Sequence, residues 1–236
     1  MRLVDSHGHL QAEAFASDAE EVLAAAEAGG LVRLLVPGWD VASSRAARDL
    51  AHGHTMIDGA AGVHPHAASS VDDSGWAEVR SLAGDAAVVA VGETGLDYDR
   101  LFSPREAQLA NLRRHLALAF ETGRPAILHC RSVAGQRDAQ DDLLAELEAA
   151  GFGGWTWADR FGGRPPAILH SFSGPVDYAE RALALGGRLF IVVGQAPAME
   201  ALRITRVGHG EWVRESLFEV VMDPLIHAPQ PPKFIF

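Results

Sequence analysis

The sequence predicts one domain, over residues 1–236, folded as a (β/α)8 TIM barrel of the α/β class. Eight short apolar runs alternate with seven longer stretches rich in Ala, Glu and Arg, and this alternation is typical of such barrels. Most of the runs lack polar alternation, as expected for parallel strands that are covered on both faces. The length of 236 residues is also near the roughly 250 residues of a typical barrel.

The predicted strands and helices follow one another in order along the chain. Strands are expected at residues 3–4, 31–36, 56–63, 86–91, 126–128, 167–169, 189–193 and 217–222. Helices are expected near residues 18–29, 40–52, 73–83, 104–122, 137–150, 175–186 and 196–207, and several of them end at glycine. Residues 151–166, rich in Gly, Trp and Pro, are interpreted as a long loop. Residues 224–236 are too few for a covering helix, so we expect the barrel to lack its final C-terminal helix.

The composition limits the class of protein and its location. Acidic residues outnumber basic ones by 31 to 20, for a formal net charge of −11, whereas a general nucleic-acid-binding surface is usually basic. One cysteine excludes an internal disulfide framework and a multi-cysteine zinc site. No apolar run reaches the roughly 18 residues that span a bilayer, and no signal peptide is recognisable. We therefore expect a cytoplasmic protein with no membrane contact and no stable protein partner.

Side chains that bind metals follow several predicted strands, at the end where active sites of such barrels form. His7 and His9 follow the first strand and can face one ion, because residues two apart in a strand share a face. A histidine alone is more often a buried residue that satisfies a backbone group, and residues 52–54 repeat the His-Gly-His tripeptide in a loop. The joint convergence of six residues indicates a divalent metal site. The six residues are His7, His9, Glu93, His129, His170 and Asp223.

The number and type of these ligands indicate the kind of metal centre. Six ligands are more than one tetrahedral zinc ion needs, and they suit two ions bridged by a carboxylate. Imidazole favours zinc, manganese, iron or nickel over calcium. A buried carboxylate at a strand end is costly without a partner, so Glu93 points to a cation more clearly than any single histidine does.

Five segments of the chain resemble the TatD-type deoxyribonuclease family, metal-dependent hydrolases within the amidohydrolase-like barrels. The matching segments are residues 4–10, 62–66, 91–98, 127–131 and 169–174, with a weaker match over 221–231. The Gly-Glu-x-Gly-Leu-Asp-Tyr motif at residues 92–98 is the most diagnostic. The resemblance spans nearly the whole chain, with the segments in the family's order.

The resemblance implies a ligand set for two divalent ions of Mg, Mn or Zn. His7, His9 and Glu93 would hold one ion. Glu93, His129 and His170 would hold the second. The bridge would be Glu93, because the carboxylated lysine that bridges the ions of some related barrels has no candidate here: the only lysine is Lys233.

The resemblance also implies a reaction, the exonucleolytic cleavage of DNA phosphodiester bonds by a two-metal-activated water. Asp223 and Glu93 would be the catalytic residues, and Asp223 would also bind metal and handle the proton of the water. His64 would face the substrate phosphate with Arg131 as a helper. The contact with DNA would be local, because the protein as a whole is acidic.

The last predicted strand departs from the family pattern. The family has Glu-Thr-Asp where this chain has Val221-Met222-Asp223, so Asp223 lacks the residues that usually support it. Two alternatives follow. The missing basic surface suggests a metal-dependent hydrolase of a small-molecule ester, lactone or amide. The altered strand suggests a catalytically weak metal-binding protein.

Four further side chains receive structural interpretations. Trp155 and Trp157 lie in the long loop, where packing is favoured over stacking on a nucleobase. His115 is placed on the surface or in a groove of a helix. His66 has no convergent neighbour in the sequence and is a candidate for the mouth of the barrel beside His64.

Overall fold

Six β/α units precede a separate antiparallel sheet in the computed structural model, which describes residues 2–170, 174–185, 188–195, 198–208 and 211–220. The first six strands are β1 (Leu3–Asp5), β2 (Leu31–Pro37), β3 (Ile57–Ala61), β4 (Val88–Asp97), β5 (Ala126–Arg131) and β6 (Ala167–Leu169). The helices are α1 (Ala19–Ala28), α2 (Val41–Gly53), α3 (Asp73–Leu82), α4 (Arg105–Thr122), α5 (Asp138–Ala149), α6 (Trp155–Arg160) and α7 (Val176–Ala184). Short 3-10 turns lie at Glu13–Phe15 and Pro65–Ala67.

The first six strands form one parallel sheet in sequence order, from β1 to β6. Parallel strands lie about 4.8 Å apart, so a flat sheet of this kind would separate β1 and β6 by about 24 Å. The rings of His7, after β1, and His170, after β6, instead stack with their centroids 4.0 Å apart. The sheet is therefore strongly curled, and the α/β barrel-type fold class predicted from the sequence is confirmed.

Local sequence signals explain where the helices begin and end. Asp40 and Ser43 form a reciprocal capping box at the start of α2, and Asp72 accepts from the backbone N–H of Gly75 at the start of α3. At the end of α4, Gly123 takes the left-handed conformation, with φ 68°, that glycine adopts without strain. The first five predicted helices and the helix predicted at 175–186 agree with the observed ones to within a few residues.

The interpretation of residues 151–166 as a long loop was wrong. This segment contains α6, and Trp157 of that helix is buried against Phe152 and Phe161. The indole N–H of Trp157 donates to the carbonyl of Ala150 at 2.7 Å. Burial of these three aromatic side chains stabilises the segment, although its glycines suggested an irregular connection.

The first compact unit of the chain is Met1–Gly186, and the second is Gly187–Phe236. Its described strands are β7 (Arg188–Gln195), β8 (Ala198–Gly208) and β9 (Glu211–Val220), paired antiparallel in that order. The helix predicted at residues 196–207 was wrong, because this segment is mainly β8. The β-branched Ile204 and Thr205 favour a strand, and Arg203 pairs with Glu215 on the neighbouring strand.

Two expectations about the C-terminal part remain predictions. The single domain over residues 1–236 is one of them. The other concerns the last strand, since residues 217–220 belong to the antiparallel β9 and residues 221–222 lie outside the described residues. Asp223 and the segment 224–236 also lie outside them. Among the helices that are described, none is both long enough and apolar enough to cross a membrane.

Candidate metal centre

Glu93 lies in the second half of β4, where glycines allow a close approach of neighbouring backbones. Gly92 has φ 140°, and a Cβ atom on it would lie 2.7 Å from the carbonyl oxygen of Ile127. A Cβ on Gly62 would lie 2.4 Å from the Cα of Gly92, so the two backbones touch. The backbone N–H of Glu93 donates to the carbonyl of Gly38 at 2.7 Å. These contacts fix the carboxylate of Glu93, which is 4% exposed.

Two histidines face one oxygen of this carboxylate. His7 Nε2 lies 3.2 Å from Glu93 Oε2, and His9 Nε2 lies 3.7 Å from the same atom. The two Nε2 atoms are 3.2 Å apart. The backbone N–H of His7 donates to the carboxylate of Asp5, and Nδ1 of His9 is 3.2 Å from the carbonyl of Pro37. Three donor atoms therefore converge on one point at the end of β1.

Three more histidines face the other oxygen of the carboxylate. From Glu93 Oε1, His170 Nε2 lies 2.6 Å away, His129 Nδ1 3.2 Å and His64 Nε2 3.5 Å. His64, Glu93 and His129 form a second cluster of potential ligands, and His7, His9 and Glu93 form the first. His170 hydrogen-bonds to Glu93 and stacks on His7, so it lies next to both clusters.

The protonation states suit cation binding. Burial alone would raise the pKa of Glu93, but hydrogen bonds with His129, His170 and His7 outweigh it and hold the pKa well below its usual range. Burial lowers the pKa of His64 to about 3. Burial, followed by the nearby His7, also lowers the pKa of His9. At neutral pH the ionised carboxylate of Glu93 thus faces the neutral imidazoles of His9 and His64, the forms that metals require.

The spacing of the donor atoms also fits a cation. Ligands that are about 2.0–2.2 Å from a transition-metal ion lie about 3.0–3.5 Å from one another. The three distances among the donor atoms of His7, His9 and Glu93 are 3.2, 3.2 and 3.7 Å. The Nδ1 atom of His7 is buried without a hydrogen-bond partner in the described part of the chain. The residues therefore fit a metal ion in donor type, charge and spacing.

Asp97 supports the second cluster and was not singled out by sequence reasoning. It is fully buried, four residues after Glu93 on the same strand. Its Oδ2 atom lies 3.3 Å from His129 Nε2 and 2.8 Å from His66 Nε2. Because Nδ1 of His129 faces Glu93, a carboxylate on Nε2 orients the ring and makes its free nitrogen a better ligand. The signal that could have found Asp97 is its spacing from Glu93, since residues four apart in a strand share a face.

The protonation of Asp97 follows from its hydrogen bonds. Burial raises the pKa of this carboxyl group, but the backbone N–H of Arg100 and the His66 ring outweigh it, so the pKa lies below its usual value. Arg131, predicted to contact substrate, has Nη1 3.8 Å from Asp97 Oδ2. His66 lies beside His64, with ring centroids 4.3 Å apart. Asp97 thus contacts His129 of the second cluster and also His66 and Arg131 beside it.

Helix α4 presents buried polar side chains to the strand ends that carry the site. Gln108 accepts from the backbone N–H of Asp97 and donates to its carbonyl. Asn111 donates to the carbonyl of Val63, and His115 Nε2 accepts from the backbone N–H of the same residue. The placement of His115 on the surface or in a groove was wrong, because the side chain is fully buried.

The remaining sequence predictions fall into two groups. His52 and His54 belong to neither cluster and form ion pairs with Asp85 and Glu20. The loop expected at residues 52–54 was wrong, because α2 extends to Gly53 and His54 is its C-cap. The structure gathers His7, His9, Glu93, His64, His129 and His170 around one carboxylate, and the roles assigned to them remain predictions. Asp223 lies outside the described residues.

The fold and the donor set define an α/β barrel-type protein with a candidate metal centre at the carboxyl ends of its parallel strands. A family model described as TatD related DNase matches residues 4–203 of the chain. The chain belongs to this family.

Individual relatives agree with this assignment. The chain is 37% identical over 172 residues to the 3'-5' ssDNA/RNA exonuclease TatD of Cronobacter sakazakii, covering 73% of this chain and 59% of that protein. It is 33% identical over 183 residues to the uncharacterized metal-dependent hydrolase YabD of Bacillus subtilis, covering 78% and 66%. The crystal structure of YjjV, a TatD homologue from Escherichia coli K12, has a TM-score of 0.65 at 28% identity, covering 78% and 66%. The chain spans about three fifths of the length of the exonucleases it matches.

Proposed function

We propose that this protein is a hydrolase that cleaves phosphodiester bonds at the ends of single-stranded DNA, with two divalent cations held by the Glu93 clusters. The observation that carries the proposal is the division of the histidines between the two oxygens of Glu93. Oε2 faces His7 and His9, and Oε1 faces His64 and His129. One carboxylate can thus serve two ions, as Glu93 was expected to do as the bridge.

Divalent cations in such a centre would acidify a bound water and neutralise the charge that develops on the phosphate oxygens. The chain's own residues hold the reacting groups in place. Glu93, ionised and buried, fixes both clusters. Arg131, whose side chain is partly exposed beside Asp97, supplies a positive charge for a phosphate. We assign to the Asp223 carboxylate the transfer of the water proton to the leaving oxygen, as the family resemblance implies.

The choice of a single-stranded nucleic acid as substrate is supported by the relatives. Several of them are named as exonucleases of single-stranded DNA and RNA. The net charge of −11 is compatible with such a substrate if the contact is short and local, because an exonuclease engages only a chain end. We favour magnesium, manganese or zinc as the cations.

A cleavage assay on labelled single-stranded oligonucleotides tests the proposal. The metal-loaded wild-type protein is expected to shorten the strand from one end, and chelation of the metal should stop it. Glu93→Ala should lower the rate at least about 100-fold, since both clusters lose their shared oxygen. His52→Ala is the matched control, because His52 lies away from Glu93 and pairs with Asp85. Absence of cleavage by the wild type, or an unchanged rate for Glu93→Ala, would contradict the proposal.

A second candidate is hydrolysis of a small-molecule ester, lactone or amide at the same centre, and the acidic net charge of −11 favours it. The same metal-loaded protein would be tested on a panel of esters, lactones and amides. Faster turnover of any of these than of the oligonucleotide would favour the second candidate. Bound metal without turnover of any substrate would instead identify a metal-binding protein of weak activity.

A further inference from the structure

A short exposed segment lies between β4 and α4, at the end of the strands where the metal centre is located. We call residues 99–102 the rim segment; they are all exposed, whereas the flanking Tyr98 and Ser103 are buried. The segment ends in two adjacent apolar side chains, Leu101, 54% exposed, and Phe102, 70% exposed. Adjacent apolar side chains exposed at the edge of a polar site are one mark of a binding surface.

The rim segment is held firmly at both ends. On its N-terminal side the hydroxyl of Tyr98 donates to Asp142 at 2.8 Å. On its C-terminal side the hydroxyl of Ser103 donates to the carbonyl of His66 and accepts from the backbone N–H of Ser69. Phe102 therefore protrudes from a short segment with two fixed ends. A segment with anchored ends loses less conformational entropy than a free loop when a ligand binds to it.

Ring contacts connect Phe102 with the metal centre. The centroids of Phe102 and His66 are 4.8 Å apart, with the ring planes at 73°. His66 in turn contacts His64, a member of the second cluster, at 4.3 Å, and binds Asp97. A ligand that reaches the second cluster with a phosphate would thus bring the group attached to that phosphate close to Phe102.

We propose that Phe102 is a stacking platform for an unpaired nucleobase of a single-stranded polynucleotide. The proposal rests on the proposed function and adds a residue that contacts the substrate at that same site. Aromatic side chains bind bases without regard to sequence, because every base has a π face. A base paired within a duplex keeps its faces covered by its neighbours, so a platform of this kind favours unpaired ends.

A second exposed aromatic side chain, Trp155, supports this choice and supplies a control. Trp155 is 81% exposed, but it lies on α6, between α5 and β6, and so precedes a strand rather than following one. Connections of that kind lie at the opposite end of the strands from the active site in a barrel. Its neighbour Trp157 is buried in the core. Phe102 therefore has the position that a base contact requires, and Trp155 does not.

Binding measurements on two strands test the platform. One strand is a fluorescent, phosphorothioate-linked single-stranded oligonucleotide, and the other has the same phosphates but abasic residues at three positions of each end. Binding of each to the metal-loaded protein is followed by fluorescence anisotropy. Phe102→Ala should weaken binding of the base-bearing strand about ten-fold and binding of the abasic strand by less than about two-fold. Phe102→Trp should preserve the affinity, and Trp155→Ala should match the wild type.

Several results would overturn the platform. Phe102→Ala could bind both strands as the wild type does, or lose the same factor for both, and either result shows that no base rests on the ring. Failure of the proposed function gives a different pattern. If the wild type binds the strands but cuts no unmodified oligonucleotide, hydrolysis is excluded while the platform is judged on the binding difference. If the wild type binds neither strand, both proposals fail. Thermal unfolding of each variant verifies that the exposed substitutions leave the fold intact.

Discussion

At the scale of single residues, the buried charge of the Glu93 carboxylate is the main electrostatic feature of the site. Burial of an ionised carboxylate is costly unless charges or hydrogen bonds compensate it. Here five imidazoles lie within 3.7 Å of its two oxygens. Cations between these groups would compensate the negative charge of the carboxylate. They would also lie between ring nitrogens that face each other, such as those of His7 and His9.

Asp97 is the residue whose role follows from contacts rather than from motif position. We predict that Asp97→Asn weakens metal binding at the second cluster about ten-fold, because the amide is a poorer acceptor for the Nε2–H of His129. The backbone N–H groups of Asp99 and Arg100, which donate to Oδ1, can still be satisfied by the amide oxygen. Metal titration in competition with a chelator measures the effect.

Asp99→Asn serves as the control for Asp97→Asn. It makes the same chemical change two residues away, at an exposed position of the rim segment. Equal metal affinity of Asp97→Asn and the wild type would show that Asp97 does not support the second cluster.

The sequence could predict a grouping of His7, His9 and Glu93 because the pattern that indicates each of them is local. His7 and His9 are two residues apart, and Glu93 follows an apolar strand. The contacts of Asp97 with His66, in a 3-10 turn, and with His129, in β5, depend instead on segments that are 31 and 32 residues away in the sequence. Such pairings arise only when the strands are assembled, so the sequence alone could not indicate them.

At the scale of secondary-structure elements, α4 positions the site without contacting it directly. Gln108, Asn111 and His115 lie three and four residues apart and so share one face of the helix. The side chains of that face form hydrogen bonds with the backbone of Asp97 and with the backbone of Val63, the residue before His64. The ends of β3 and β4, next to His64 and Asp97, are therefore fixed by one helix.

His115 predicts a pH dependence of stability. Burial is the main cause that lowers its pKa to about 4 from the usual 6.5. In the folded state its Nε2 accepts from the backbone N–H of Val63. The folded state then binds fewer protons than the unfolded state between these two pH values, so the contribution of His115 is complete above pH 6.5 and is lost as the pH falls towards 4. The loss should be about 2 kcal/mol between pH 7.5 and pH 5.

Urea unfolding of the wild type and of His115→Gln at pH 7.5 and pH 5 measures this contribution. The variant cannot titrate at this position, so its stability should fall less than that of the wild type over the same interval. Parallel pH dependences of the two proteins would show that His115 does not titrate as its environment implies.

The elements that the sequence predicted correctly are those with a strong local pattern. The parallel strands are short apolar runs, and the capped amphipathic helices begin at residues such as Asp40 and Asp72. The segments at 151–166 and 196–207 were misjudged for a physical reason. The secondary structure of the first segment depends on the tertiary packing of Trp157, and that of the second on the pairing of β8 with β7 and β9. These tertiary contacts override the local propensity of the sequence.

At the scale of the whole molecule, the acidic net charge makes nucleic-acid binding dependent on the metal centre. A net charge of −11 opposes the approach of a polyanion such as DNA. Two divalent cations at the strand ends would create a local positive region on an otherwise acidic surface. Metal loading should therefore control nucleic-acid binding as well as hydrolysis.

Counting the metal ions bound by the whole chain tests the central claim most directly. Purified wild-type protein and Glu93→Gln are equilibrated with manganese or zinc, freed of excess ion and analysed for metal, and their thermal unfolding is followed with and without a chelator. We predict two ions per wild-type chain and a lower unfolding temperature after chelation, because ligands that bind only the folded state stabilise it. Glu93→Gln should retain at most one ion, bound weakly. Full occupancy in Glu93→Gln, or no bound ion in the wild type, would contradict the account.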